Sequence, residues 1–224
     1  MTVVVMNAWQ VLVKGGPMMW PILLLSILSM AIGINRLMAL AKTERQLLDD
    51  EKALLGSLPQ GRLKETMQLC ESRPGLAGAV LKAGILRFGS SRDLIKGSME
   101  EVLDHETVKL KEHMGLLEVI VNVAPLLGLV GTVNAMTVVF HAAVVRSNVL
   151  NPLTAGELSS GIWQALLATS AGLVVGVLGF TVYSFCAMRI NAIIARVERL
   201  MTVMTNALVQ LSELKKPAEQ GDDA

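Results

Sequence analysis

Charged residues are scarce in this sequence, and they are absent where they would matter most. Only 17% of the 224 residues are Asp, Glu, Lys or Arg, and three stretches contain none: Gly15–Asn35, Val119–Val145 and Leu158–Met188. Aromatic residues make up 4% and the net charge is +1, with no interleaving of basic and aromatic side chains between the first two stretches. That excludes an electrostatic case for a nucleic-acid partner. Cysteine occurs twice, at Cys70 and Cys186, and neither has a neighbour at ligand spacing. A disulfide framework and a cysteine metal centre are therefore not expected, and both thiols read as packing residues. The nearest approach to a metal motif is His105-Glu106 with His113, but the helical HExxH pattern needs histidine where this chain has Lys109. No serine or cysteine nucleophile has a base close by in sequence. The expectation is a protein without metal, cofactor or catalysis.

Apolar residues fill the space left by charge. They amount to 52% of the chain, with a mean hydropathy of +0.53. Each uncharged stretch meets the roughly 20-residue length that carries a helix across about 30 Å of hydrocarbon. A soluble domain of this size could not cover three such helices, so the chain reads as an all-α integral membrane protein embedded in a lipid bilayer. Ala39-Leu40-Ala41 imitates a signal-peptide cleavage site. Arg36 interrupts the approach to it, and the apolar core exceeds the usual length of about 7–15 residues, so a retained helix is expected.

The basic residues set the orientation. Arg36, Lys42 and Arg45 follow the first stretch, Lys109 and Lys111 precede the second, and Arg189, Arg196 and Arg199 follow the third. The leading segment has Lys14 alone, and the turn between the second and third stretches has Arg146 alone. The positive-inside rule then places the N-terminus outside and the C-terminus in the cytoplasm. The expected layout is an outer segment 1–16, transmembrane helix 17–40, cytoplasmic helical segment 41–117, transmembrane helix 118–145, outer turn 146–157, transmembrane helix 158–188, and cytoplasmic helix and tail 189–224.

Within the middle segment, Pro59-Gln60-Gly61 and Arg73-Pro74-Gly75 punctuate short helices, and Gly89-Ser90-Ser91 ends a small-residue helix. From about Arg92 the apolar residues recur at three/four spacing with no turn cluster, which predicts one helix running into the second span. Beyond Met188 a stripe of Ile190, Ile193, Val197, Leu200, Met204, Leu208 and Leu211 keeps the same spacing. It requires a partner surface, supplied by the middle segment, by other subunits, or by both. The closing "KKPAEQGDDA" has the composition of a disordered tail. Thr154-Ala155-Gly156-Glu157 is a capping box that starts the third span.

Two small-residue stripes stand out. Ala165, Thr169, Gly172, Gly176 and Gly179 share one face of the third span; Pro125, Gly128, Thr132 and Ala135 share one face of the second, with Gly131 beside them. Small residues let helices approach closely in lipid, so dense packing accounts for most of these glycines. The threonines carry more. Thr132 lies 14 residues before Arg146 and Thr169 lies 12 after Glu157. At about 1.5 Å per residue both sit roughly 20 Å from the turn, so an antiparallel pair brings two hydroxyls to one level. Each could alternatively bond a carbonyl of its own helix.

"APLLGLVGTVNAM" followed by "ALLATSAGLVVG" resembles the paired signature of the MotA/TolQ/ExbB proton channel family, and the three-span layout is similar to the ExbB/TolQ branch. The resemblance implies a homopentamer whose second and third helices line a pore. It also implies an ExbD/TolR-like single-span partner whose intramembrane aspartate carries protons, in a bacterial inner membrane. On that reading Thr132 and Thr169 line the proton pathway, while Pro125, Gly128, Gly131, Ala165, Gly172 and Gly176 pack the helices around it. The function implied is coupling of proton-motive force to mechanical work; a non-conducting membrane scaffold is the alternative. Two departures mark this chain. Gln164 stands where the family usually has glutamate, and cannot titrate. Asn134-Ala135 stand where an aromatic and glycine are frequent, and Asn134 and His141 offer polar contacts on the face away from Thr132.

The orientation has a direct test. A cysteine placed at Asn148 is expected to react with a membrane-impermeant thiol reagent from outside, and one at Asp50 is not; the reverse pattern overturns the topology.

Overall fold

The computed structural model describes residues 14–57, 63–72, 75–146 and 154–219. Six helices appear among them: α1 (Met19–Ser57), α2 (Leu63–Ser72), α3 (Leu76–Leu86), α4 (Arg92–Leu110), α5 (Met114–Arg146) and α6 (Ala155–Glu219). α1, α5 and α6 are each long and apolar enough to cross a membrane, whereas α3 is too short. Only 17%, 33% and 28% of their most apolar windows are buried within the chain. The remaining apolar surface, including Leu24, Leu129, Val133, Leu173 and Val177, needs lipid or further protein to cover it. The chain is an all-α membrane protein.

The chain divides into two compact units. The first takes residues up to 35 together with 113–185, hence the start of α1, all of α5 and most of the apolar part of α6. Here α5 and α6 form an antiparallel pair, and α1 meets α6 where Gly33 faces Val182. The 146–157 end of the pair is closed by a polar latch. Arg146 donates to Glu157 Oε1 at 2.7 Å, and the Thr154 backbone N–H donates to Glu157 Oε2 at 2.9 Å. The Thr154 hydroxyl in turn accepts from the Glu157 N–H at 3.3 Å. This is the reciprocal capping box the sequence announces, with an arginine added. The Thr154 backbone bond and then the Arg146 bond hold the Glu157 carboxyl well below its ordinary range, at about 2.

The second unit takes residues 36–112 and 186 onward. The stripe beyond the third span finds its partner inside the chain: Ile190, Ile193, Val197, Leu200, Met204 and Leu208 are buried together with Leu40, Leu47, Val80, Leu81, Ile95, Met99 and Leu103. α2 packs on α3 and α3 on α4. Ion pairs Glu44–Arg189 and Glu51–Arg196 link α1 to α6 at a constant sequence offset of 145, so the two helices run parallel here. Arg92 reaches Asn206 at 2.9 Å. Both cysteines are free and buried. Burial, with the Asp50 carboxylate nearby, pushes the Cys70 thiol up to about 11, which leaves it protonated and unreactive at neutral pH.

Three expectations are corrected. The helix expected to run from Arg92 into the second span is broken at residues 111–113. The Lys111 N–H bonds back to Thr107, and His113 takes the left-handed conformation with φ 61° before α5 begins. Histidine is among the few side chains enriched there, so no glycine or proline announces the break. The helix of the first span does not end near residue 40 to give way to a separate short helix, because α1 continues unbroken to Ser57. At the other end α6 carries helix through the first half of the expected disordered tail, to Glu219. Residues 147–153 and 220–224 lie outside the described residues, so Asn148 does too. Asp50 is 7% exposed, so silence of a thiol there would report burial as well as side; exposed Lys52 makes the cleaner inner probe.

The latch yields a pH prediction. A carboxyl whose folded pKa is depressed contributes stability that is fully present above its unfolded value and lost as pH falls through the folded one. The Glu157 contribution is therefore expected to fade between about pH 4.5 and about pH 2. Thermal melting of Glu157→Gln in detergent should lose that segment of the wild-type pH dependence; an unchanged profile refutes the latch.

Candidate functional site

The α5–α6 pair is a ruler. The numbers of facing residues add to 301 at Thr132–Thr169, at Pro125–Gly176 and at Glu118–Tyr183. One antiparallel register thus holds for the length of both spans, with the threonines midway. Glycine makes the approach possible. A Cβ built on Gly172 would lie 2.6 Å from the Ala124 carbonyl oxygen, and one on Gly128 would lie 3.0 Å from that of Ala168. Gly176 would meet the Pro125 ring at 2.7 Å and Gly131 the Ala168 methyl at 2.7 Å. At Gly172 and Gly128 the obstacle is backbone, which cannot rotate away. Ala165 and Ala168, each 1% exposed, complete the contact.

At the centre the two threonine hydroxyls meet. Thr132 Oγ1 and Thr169 Oγ1 are directly hydrogen-bonded to each other. Thr132 also stands 3.3 Å from the Gly128 carbonyl of its own helix and 3.3 Å from the Ala165 carbonyl across the crossing. Thr169 reaches the Gly128 carbonyl at 3.3 Å. Each hydroxyl therefore approaches the carbonyl four residues before its partner, a local two-fold exchange. Both alternatives read from the sequence are realised at Thr132, and Thr169 bonds across. Each hydroxyl has one proton and two acceptor sites. If one hydroxyl donates to the other and the second to a carbonyl, three of the four acceptor sites stay open. Both side chains are half-buried. The pair can thus accept a hydrogen bond from a proton donor that reaches it, and it can reverse its internal direction without moving a heavy atom.

The other singled-out residues do not join this centre. Asn134 is half-buried and two residues past Thr132, hence on the far side of α5. His141 is exposed beside the exposed Phe140 and Val144. Gln164 packs its amide against Gly16, whose φ of 80° favours glycine and whose Cβ would collide with Nε2. The sequence reading missed Gly16, Gly33 and Gly161 as close contacts, and it missed Glu118–Tyr183. Glu118 sits 14 residues before Thr132, and Tyr183 sits 14 after Thr169. The three/four spacing of the stripes reaches both: Tyr183 lies four residues past Gly179 within the third uncharged run, and Glu118 lies one residue outside the second. Among the described residues no group of three or more His, Cys, Asp or Glu stands close enough to hold a metal. Lys109, at the position that breaks the zinc pattern, bonds Glu106 at 2.6 Å.

Residues 73–199, more than half of the chain and including both stripes, match the MotA/TolQ/ExbB proton channel family. An ExbB-like biopolymer transport protein of Synechocystis is 30% identical over 76% of this chain and 66% of its own length. An ExbB homolog of Methanothermobacter thermautotrophicus is 33% identical over 52% of this chain and 39% of its own length. The Tol-Pal system protein TolQ of Haemophilus influenzae is 27% identical over 75% of this chain and 77% of its own length. The chain thus spans 66% and 39% of the lengths of the first two relatives.

The crossing predicts two opposite effects of one substitution. Gly172→Ala forces a methyl onto a carbonyl and is expected to destabilise the protein by about 1–3 kcal/mol. Gly97→Ala in α4, where nothing lies within 4 Å of the new methyl, should be neutral or stabilising by up to about 1 kcal/mol. Melting temperatures of the two variants in one detergent check both; equal effects would deny the close approach.

Proposed function

Because this chain belongs to the MotA/TolQ/ExbB proton channel family, we propose that it is a subunit of a proton-driven stator, coupling proton-motive force to mechanical work through a single-span partner. In this reading five copies surround a pore lined by α5 and α6, within the inner membrane of a bacterium. The N-terminus lies outside and the C-terminus in the cytoplasm. The partner resembles ExbD or TolR and places an aspartate near the threonine pair. The family's energy-coupling chemistry makes an enzyme the weaker description.

The single observation that carries the reading is the hydroxyl pair at mid-register of the crossing. One hydroxyl proton lies between the two oxygens and the other points to a carbonyl, which leaves acceptor sites for an incoming O–H. A protonated carboxylic acid is such a donor. After the proton leaves, the pair can turn a hydroxyl outward and donate to the carboxylate. A carboxylate in a membrane is costly without such partners, and losing them raises its pKa and slows release. One elementary charge crossing 100 mV yields about 2.3 kcal/mol, so several protons per cycle suffice for a mechanical step. The scaffold reading draws on a different fact. The hydroxyls tie α5 to α6 through each other and through the Ala165 and Gly128 carbonyls, which also suits a purely structural knot.

Substitution separates them. Thr132→Val and Thr169→Val keep shape and remove the hydroxyl. Assembly should change little, since a hydrogen bond between membrane helices averages about 0.6 kcal/mol. Proton-driven output with the partner co-expressed should fall about tenfold for each unit by which the aspartate pKa rises. Thr→Ser at either position should retain most output. Valine variants that assemble and work as wild type refute the hydroxyl mechanism, and loss of assembly alone supports the scaffold.

A further inference from the structure

A carboxylate lies on the same line as the threonines, one residue outside the second uncharged run. Positions 118, 121, 125, 128 and 132 on α5 follow the three/four spacing of one helix face, and 169, 172, 176, 179 and 183 follow it on α6. At one end of that line the Tyr183 hydroxyl donates to Glu118 Oε2 at 3.4 Å, at the same register sum as the threonine pair. Fourteen residues of helix put the two polar stations roughly 21 Å apart along the crossing. Glu118 is exposed while Tyr183 is half-buried, so the carboxylate faces outward from the crossing and the phenol reaches it from within. The two ends of the pair differ in chemistry. At the 146–157 end Glu157 is tied to an arginine. At this end the acid meets a neutral phenol from the facing helix.

We propose that Glu118 is a proton station of this subunit, held by Tyr183 at the end of the line remote from the 146–157 turn, which takes up or hands over the proton that passes the threonine pair. The proposal rests on the channel reading and extends it: the chain itself supplies an exchangeable acid, in addition to the one carried by the partner. The step is a simple transfer. An O–H bond of hydronium or of the proton-carrying acid breaks, an O–H bond forms on a Glu118 oxygen, and the reverse delivers the proton to water. Tyr183 is a positioning residue, because its hydroxyl fixes the carboxylate against α6 and can stay bonded in both protonation states.

A latch that only fastens two helices would use the same pair, and the variants tell the two roles apart. Glu118→Gln keeps an oxygen that accepts from Tyr183 but cannot carry a proton; Glu118→Asp keeps the acid; Tyr183→Phe removes the hydroxyl and keeps the ring. The full chain, co-reconstituted with its single-span partner in pyranine-loaded liposomes, is driven by a potassium diffusion potential, with Thr132→Val as reference. Glu118→Gln is expected to assemble and to lower proton flux about a hundredfold, the lower range for a positioned proton-transferring side chain. Glu118→Asp should recover most of that loss. Wild-type flux in Glu118→Gln, with impaired assembly in Tyr183→Phe, overturns the proposal in favour of a latch. If Thr132→Val blocks flux while Glu118→Gln conducts normally, the station fails and the channel reading stands. Absence of flux in the wild type overturns both. Should Glu118→Gln not assemble, dicyclohexylcarbodiimide on the wild-type complex decides: flux lost in step with labelling at Glu118 supports the station, and flux that survives full labelling there refutes it.

Discussion

Two backbones come within contact distance where Gly172 faces Ala124 and Gly128 faces Ala168, and the rest of the first unit is arranged around that approach. In lipid there is no hydrophobic force to push helices together, so close packing has to supply the attraction. A stripe of glycine and alanine lowers the separation enough for carbonyls of one helix to fall within reach of hydroxyls on the other. That is why the threonine pair forms where it does. Larger residues would part the helices, and each hydroxyl would turn back to its own backbone.

The same approach fixes the register and hence the spacing of every polar group along the pair. An arginine–glutamate latch holds one end, two hydroxyls the middle, and a tyrosine–glutamate contact the other end. Between them the line itself carries only Val121, Pro125, Gly128 and Ala135 on α5 and Ala165, Gly172, Gly176 and Gly179 on α6. Groups able to handle a proton are therefore separated by lengths that lipid-like side chains cannot bridge, and water or a partner's side chain must complete any path. The polar groups on this line contribute little to stability individually; their value lies in being held at set heights.

Much of the architecture was legible in the sequence because membrane helices announce themselves by the absence of charge. The three spans, the capping box at Thr154 and the level of Thr132 and Thr169 all follow from counting residues. The buried stripe from Ile190 to Leu208 was legible for the same reason, although only the structure assigns it an intrachain partner. What the sequence concealed were features with no composition signal. His113 breaks a helix by adopting a conformation that histidine tolerates and seldom advertises. Gly16 and Gln164 meet across some 150 residues, and nothing local marks either. Glu118 was passed over because it delimits an uncharged run, and a boundary residue is easily read as belonging to neither side. The roles of Thr132 and Thr169 in a pathway rest on family likeness and chemistry rather than on anything countable.

Pro125 gives the crossing a property of another kind. Proline has no N–H to return to the Val121 carbonyl, so that oxygen is left facing the neighbouring helix, and the proline ring occupies the space beside Gly176. A methyl at 176 would strike the ring at 2.7 Å and approach the Val121 oxygen to 3.4 Å. Shrinking residue 125 would make room for a side chain at 176, while enlarging 176 alone would not be tolerated. The two positions, on different helices and far apart in sequence, are thus linked in what they can become: the order in which substitutions arrive decides whether a descendant of this chain still closes its crossing.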